Sequence, residues 1–414
     1  METSELRRRT QPGPGIPEPN LTAGITNPAL DPKIGHPSGK AKYGRLRALL
    51  RAFTFSLYFG ISIIAIHGSQ LIGAPLYVID RELYYAYMSL AKASFGLLIT
   101  TMTQWWAPTV IRMSGDASVA GQLSLTADGR VKCAFPERIV LIANHQIYTD
   151  WLYLWWVGYT SNPQMHGHIY IILKESLKYI PVIGPGCMLL GFIFLSRKMA
   201  VDRPRLAYRL RKLKEQHTDP DGNEYLNPMW LLLFPEGTNL SGNGRRKSAA
   251  WAAKTGIKDA EHLMLPRSTG MYFCLTELED TVDYVYDCTV AYEGIPRGKY
   301  GEDYFTLSST YFQGRPPKSV NFHWRRFAVA DIPLDSQEEF DLWLRERWYE
   351  KDAIMEQYVS TGRFPANEAG GETHIETEVK TEYWWEFVKI YALVGTFGLL
   401  FSIVLKVVRL LFRG

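Results

Sequence analysis

Four short segments of the 414-residue sequence carry residue types at spacings that could do chemistry. The first is Asn144-His145-Gln146-Ile147-Tyr148-Thr149-Asp150, directly after the apolar run Ile139-Val140-Leu141-Ile142. An imidazole can take up a proton near neutral pH. A carboxylate on one ring nitrogen fixes the tautomer and leaves the other nitrogen free as a base. On a continuous helix, residues five apart lie roughly 140° apart, so His145 and Asp150 meet only if the chain between them turns at a strand–helix junction. The same spacing also fits a junction histidine bonded to a helix-capping aspartate.

The second segment is Phe234-Pro235-Glu236-Gly237-Thr238-Asn239, after the apolar residues Trp230 to Leu233. A strand followed by a glycine turn is where an α/β protein places ligand-binding groups, and the Gly237 and Thr238 amides could face a phosphate or an oxyanion. A plain tight turn is the alternative. The third, Gly191 to Arg197, ends an apolar stretch on an arginine, the side chain suited to a bidentate phosphate grip, or simply an exposed strand end. The fourth, Leu265-Pro266-Arg267-Ser268-Thr269-Gly270, reads as another strand-end turn.

The elements that must position these groups follow from the hydrophobic pattern. Short β-branched runs at 138–143, 168–173, 229–234, 282–292 and 320–329 alternate with helical segments, among them 202–216 and 336–359. This predicts an α/β domain over residues 113–360, with a mixed, mostly parallel sheet covered by helices. Residues 1–44 are rich in proline and glycine and read as a disordered tail. Between 45 and 112 lie two uncharged runs, 52–79 and 93–111, the first preceded by Lys40, Lys42, Arg45, Arg47 and Arg51. Both read as membrane helices, or as buried core helices, with the domain after Arg112 on the cytosolic side. The first run begins too late for a secretory signal. A linker is expected over 361–382, then a membrane-associated helix over 383–414, crossing or lying at the interface.

Composition removes several function classes. A net charge of +4 is too small for a nucleic-acid binder. The four cysteines, Cys133, Cys187, Cys274 and Cys288, form no CxxC pair, which disfavours a disulfide framework or a zinc cluster and suits a reducing compartment. A zinc site built from His145, Asp150 and His166 or His168 is a minor alternative. No GxSxG elbow and no P-loop ending occurs. Twelve Trp and 24 Tyr suit a membrane–water interface.

The order NHxxxxD, GxxFxxR, FPEGT and a proline-bearing strand end resembles the glycerolipid (1-acylglycerol-3-phosphate type) acyltransferase family over roughly residues 135–360. The segments 285–292, 322–327 and 343–348 look like its lysocardiolipin/lysophosphatidylinositol acyltransferase branch. The resemblance implies an acyl-CoA-dependent lysophospholipid acyltransferase of the endoplasmic reticulum membrane. Its co-substrates would be acyl-CoA and a lysophospholipid in or beside the bilayer, with no metal, no other cofactor and no obligatory protein partner. It implies His145 as general base, oriented by Asp150. Asn144, Arg197, Glu236, Gly237 and Thr238 would serve substrate binding, with Pro266 and Arg267 shaping access. Asn239 stands where many members carry Arg or Lys, and Arg267 is the candidate to compensate. A CoA-independent transacylase and a catalytically silent lipid-binding protein are the competing readings.

Overall fold

The computed structural model describes residues 35–219, 221–367 and 374–412. Most of the expected tail, 1–34, lies outside the described residues, as does 368–373 of the expected linker. The chain begins with α1 (Arg45–Gly73), the single turn α2 (Leu76–Ile79) and α3 (Arg81–Trp106). Then come β1 (Val110–Gly115), the hairpin of β2 (Leu123–Leu125) and β3 (Val131–Cys133), β4 (Arg138–Ala143) and α4 (Asp150–Thr160). Next are β5 (Ile169–Lys174), α5 (Ile183–Leu189), β6 (Ile193–Leu195), α6 (Met199–Leu213) and the hairpin of β7 (Gln216–Thr218) and β8 (Glu224–Leu226). They lead to β9 (Met229–Leu233), α7 (Gly242–Thr255), α8 (Ser268–Leu278), β10 (Tyr284–Tyr292) and the turn α9 (Gly301–Tyr304). Last are β11 (Ser319–Ala328), α10 (Gln337–Thr361), β12 (Ile375–Glu378) and α11 (Lys389–Leu411).

Eight strands form one sheet in the order β12-β1-β11-β10-β4-β9-β5-β6. The five from β10 to β6 run parallel. β10–β11 and β1–β12 are antiparallel, so the sheet is mixed and mostly parallel, as the alternating pattern predicts. The central strands are apolar throughout because helices cover both faces. Along β4, Ile139, Leu141 and Ala143 enter one core with α3 and α4, whereas Val140 and Ile142 enter the other with α6, α8 and α10. Asp287 of β10, fully buried, pairs with Arg325 of β11 at 2.8 Å and with the buried Lys351 of α10. Burial raises the Asp287 carboxyl pKa, but Lys351 and Arg325 outweigh it and hold that pKa below the ordinary value.

Two expected boundaries are corrected. The uncharged run 93–111 is not one membrane helix: it divides between the end of α3 and the first two residues of β1. α3 is buried from Leu97 to Thr103 and packs through Phe95, stacked on Trp151 at 6.1 Å, against α4. The part of α3 after Lys92 lacks charge because it lies inside the protein. The expected linker also contributes structure: β12 closes the sheet edge against β1, with Ile111 opposite Thr377. Among the described residues, two helical stretches are long and apolar enough to cross a membrane, Arg45–Ile79 and Glu386–Leu411.

α1 presents two faces. Leu46, Leu49, Phe53, Leu57 and Ile64 are exposed, while Phe55, Ile63 and Ile66 are buried. It is bonded to the domain toward both ends. Arg51 donates to the carbonyls of Trp106 (2.6 Å) and Tyr311 (3.1 Å). His67 bonds the Val182 carbonyl at 2.5 Å, and Gln70 donates to Gly186 at 3.3 Å. Sixteen helical residues separate Arg51 from His67, about 24 Å of axis lined by the domain.

Candidate active site

β4 delivers Asn144 and His145 to its carboxyl end, and α4 starts at Asp150. The residues between them turn, so the pair meets: His145 Nδ1 lies 2.8 Å from Asp150 Oδ2. An ionised carboxylate only accepts, so Nδ1 carries the proton and Nε2 presents its lone pair. The Asp150 side chain is fully buried, whereas the His145 ring keeps 16 % exposure. The same Oδ2 accepts the Ile147 amide at 3.0 Å, and Oδ1 accepts the Tyr292 hydroxyl at 2.5 Å. Three donors therefore hold the carboxylate in one orientation. The imidazole stacks on Phe234, with centroids 4.2 Å apart.

Tyr292 was not found from the sequence. It stands at the end of β10, 142 residues from Asp150, and only strand pairing brings it alongside. Asn144, expected to bind substrate, is a tether instead. It is fully buried, with its amide nitrogen on the Val290 carbonyl (2.9 Å) and its oxygen accepting the Val290 amide (2.7 Å). This reciprocal pair fastens the turn after β4 to β10.

The second segment folds back under the first. Gly237 takes φ +75°, a conformation glycine adopts without strain, and its amide donates to the Phe234 carbonyl at 2.9 Å. The Gly237 amide is therefore spent within the turn and not aimed at a phosphate. Leu240 donates to the His145 carbonyl at 2.6 Å, joining the two turns. Glu236 is buried, its carboxyl facing the His145 amide and Trp348 without a well-formed hydrogen bond to either. Burial pushes that carboxyl well above the usual carboxylate range. Asn239 donates to Glu302 at 2.6 Å.

Arg267 lays its side chain over Gly237, within 3.5 Å of where a β-carbon would stand, and its amide donates to Pro235 at 2.8 Å. Glu236, Thr238, Pro266 and Arg267 line one cavity of about 780 Å³, with Lys247 and Trp251 of α7. Lys247 was also missed, although the basic run Arg245-Arg246-Lys247 soon after the glycine turn was a readable signal. Arg197 stands apart from that cavity. It follows β6 at the sheet edge, in the left-handed region at φ +68°, exposed and without an ion pair among the described residues. Three strand spacings separate β6 from β4, roughly 14 Å at ~4.8 Å each. His166 and His168 lie at the start of β5, the opposite end of the sheet from His145, and Asp150 is saturated by protein donors. The four residues of the minor zinc alternative thus do not converge.

A helix-flanked, mostly parallel sheet with a His–Asp pair at the carboxyl end of its central strand defines an α/β scaffold with a candidate base at the strand end. Residues 126–293 match the family Acyltransferase, and residues 310–387 match Acyltransferase C-terminus. An uncharacterized acyltransferase of Schizosaccharomyces pombe is 35% identical over 84% of this chain and 95% of its own length. The 2-acyl-1-lysophosphatidylinositol acyltransferase of Saccharomyces cerevisiae is 38% identical over 66% of this chain and 75% of its own. Lysocardiolipin acyltransferase 1 of Gallus gallus is 32% identical over 58% of each chain. The chain belongs to the 1-acylglycerol-3-phosphate acyltransferase family, and it is an enzyme of the acyltransferase class.

Proposed function

We propose that the protein transfers a fatty acyl group from acyl-CoA to the free hydroxyl of a lysophospholipid, with lysophosphatidylinositol the foremost acceptor and lysophosphatidic acid and lysocardiolipin next. One observation carries the reading: His145 is held at Nδ1 by a fully buried, triply bonded carboxylate, which leaves Nε2 without a hydrogen bond among the described residues on a ring that keeps 16 % exposure. The lipid hydroxyl donates to Nε2 and its oxygen attacks the thioester carbonyl. The C–O ester bond forms, the C–S bond breaks, and the proton taken by Nε2 passes to the departing CoA thiolate. Asp150 stabilises the transient imidazolium. The sequence uses no metal and no further cofactor. A positioned base contributes typically about 10²–10⁴ in rate.

The acceptor phosphate is assigned to Arg267 and Lys247 across the Glu236–Thr238 turn. The preference for lysophosphatidylinositol rests on the yeast relative's named activity. The setting proposed is the endoplasmic reticulum membrane, with the domain facing the cytosol and apolar helices holding it at the bilayer. The deciding experiment is release of free CoA by the purified full chain, given oleoyl-CoA and a panel of lysophospholipids. Release that requires a lysophospholipid, greatest with lysophosphatidylinositol, supports the proposal. Turnover with phospholipid donors and no CoA ester would assign a transacylase instead, and no turnover with either donor would remove the activity.

A further inference from the structure

A second cavity, of about 190 Å³, opens at the other end of the sheet from His145, between the start of α3, the starts of β5 and β9, and α6. Strand pairing fixes that separation: Met229, which lines the cavity, pairs with Arg138 at the start of β4, whereas His145 follows the end of β4. Lys92 reaches into this cavity from α3 with only 3 % of its surface exposed. The face of Tyr170 covers one side of its ammonium at 3.4 Å, but among the described residues no carboxylate pairs with it and it donates no hydrogen bond. A buried ammonium is costly unless an anion meets it.

The other charges around the cavity do not supply that anion. Glu215 pairs with Lys212 at 2.8 Å, and Glu82 pairs with His217 at 3.3 Å. Arg209, half-buried on α6, has no ion pair among the described residues, so Lys92 and Arg209 both face this space without a paired carboxylate there. Burial draws the Lys92 ammonium down to about 7, and an anion beside it would restore full charge. The rim carries Tyr77, Tyr84 and Tyr85. Next to it Val78 and Ile79 are 88 % and 75 % exposed, at the end of the apolar stretch Arg45–Ile79. Tyrosines beside bare aliphatic side chains mark a membrane–water boundary, where anionic head groups reside.

We propose that this cavity holds the head-group phosphate of an anionic phospholipid, gripped by Lys92 and Arg209, with its acyl chains along the exposed apolar residues beside the rim. The site is separate from the acyl-transfer centre and does not depend on the reaction proposed there. The test is the thermal midpoint of the full chain in phosphatidylcholine nanodiscs as phosphatidylglycerol is raised, with inorganic phosphate in a parallel arm. The wild type should show a saturable rise with phosphatidylglycerol and little with inorganic phosphate. Lys92→Met should need about tenfold more of the lipid, or lose the rise. Because Lys92→Met alters a buried position, Arg209→Gln at the half-buried rim is the second variant and should also weaken the response. It decides the question if the first does not fold. An unchanged response in a folded Lys92→Met or in Arg209→Gln overturns the proposal, as does no rise in the wild type. An equal rise with inorganic phosphate overturns the lipid assignment.

Discussion

At the scale of single residues, Asp150 acts through what is bonded to it. His145, the Ile147 amide and the Tyr292 hydroxyl all donate to one buried carboxylate. His145→Ala should therefore lower CoA release by at least about two orders of magnitude with the melting profile unchanged; activity within a few-fold of the parent would remove the base assignment. Tyr292→Phe removes one of three donors and keeps the ring, so turnover should fall by about tenfold or less with KM nearly constant. An effect on KM alone would place Tyr292 in substrate binding. Arg267→Ala should chiefly raise the KM for the lysophospholipid, and more than Arg197→Ala does, because Arg267 lines the large cavity and Arg197 does not. The His–Asp pair was legible because both members lie within one turn of sequence. Tyr292 was hidden because its place is set by a strand pairing across most of the domain. The spacing likewise gave no sign that Asn144 spends its amide on Val290 or that the Gly237 amide is spent within its own turn.

At the scale of elements, the central strands were legible for a physical reason: parallel strands buried on both faces must be apolar throughout, and β4 and β9 announce themselves. β6 and β12, of three and four residues, fall below the length at which periodicity speaks. α3 shows the limit of hydropathy. A core helix and a membrane helix share a composition, and only their neighbours differ. Gly96 of α3 meets α4 and the loop after it so closely that a β-carbon there would stand 2.9 Å from His166 and 3.0 Å from Trp155. Gly96→Val should cost about 1–3 kcal/mol, read as a lower thermal midpoint in detergent; a neutral result would mean that α3 packs elsewhere. The exposed side of α1 leads to a different measurement. A helix lined by the domain along about 24 Å cannot cross a hydrocarbon core ~30 Å thick with that domain wholly on one side. Cysteines placed at Arg45 and at Ile79 should both react with an impermeant thiol reagent from the same face of sealed vesicles, and reaction from opposite faces would show that α1 crosses.

At the scale of the whole molecule, three histidines tie stability to pH. Burial lowers His166, His168 and His323 to about 4. In the unfolded chain each takes up a proton near 6.5, while the folded protein resists protonation until about 4. Stability is therefore full above about pH 6.5 and is lost as pH falls toward 4. At pH 5 the loss is on the order of 2 kcal/mol per histidine. The thermal midpoint should drop between pH 7 and pH 5, and His323→Gln should flatten that slope even if it lowers the midpoint at pH 7. An unchanged slope would mean that His323 titrates as freely folded as unfolded.

The two-ended attachment of α1 reaches beyond the protein itself. In the membrane setting proposed above, the attachment of the helix to the domain at Arg51 and His67 would hold the mouth of the reaction cleft at one tilt toward the lipid. An enzyme with the proposed activity, so mounted, would draw its acceptor from one monolayer and return its product to that same monolayer. Each turnover then adds cross-section to one side of the bilayer alone, so the membrane must either bend or rely on a separate scramblase to even out the two sheets of lipid.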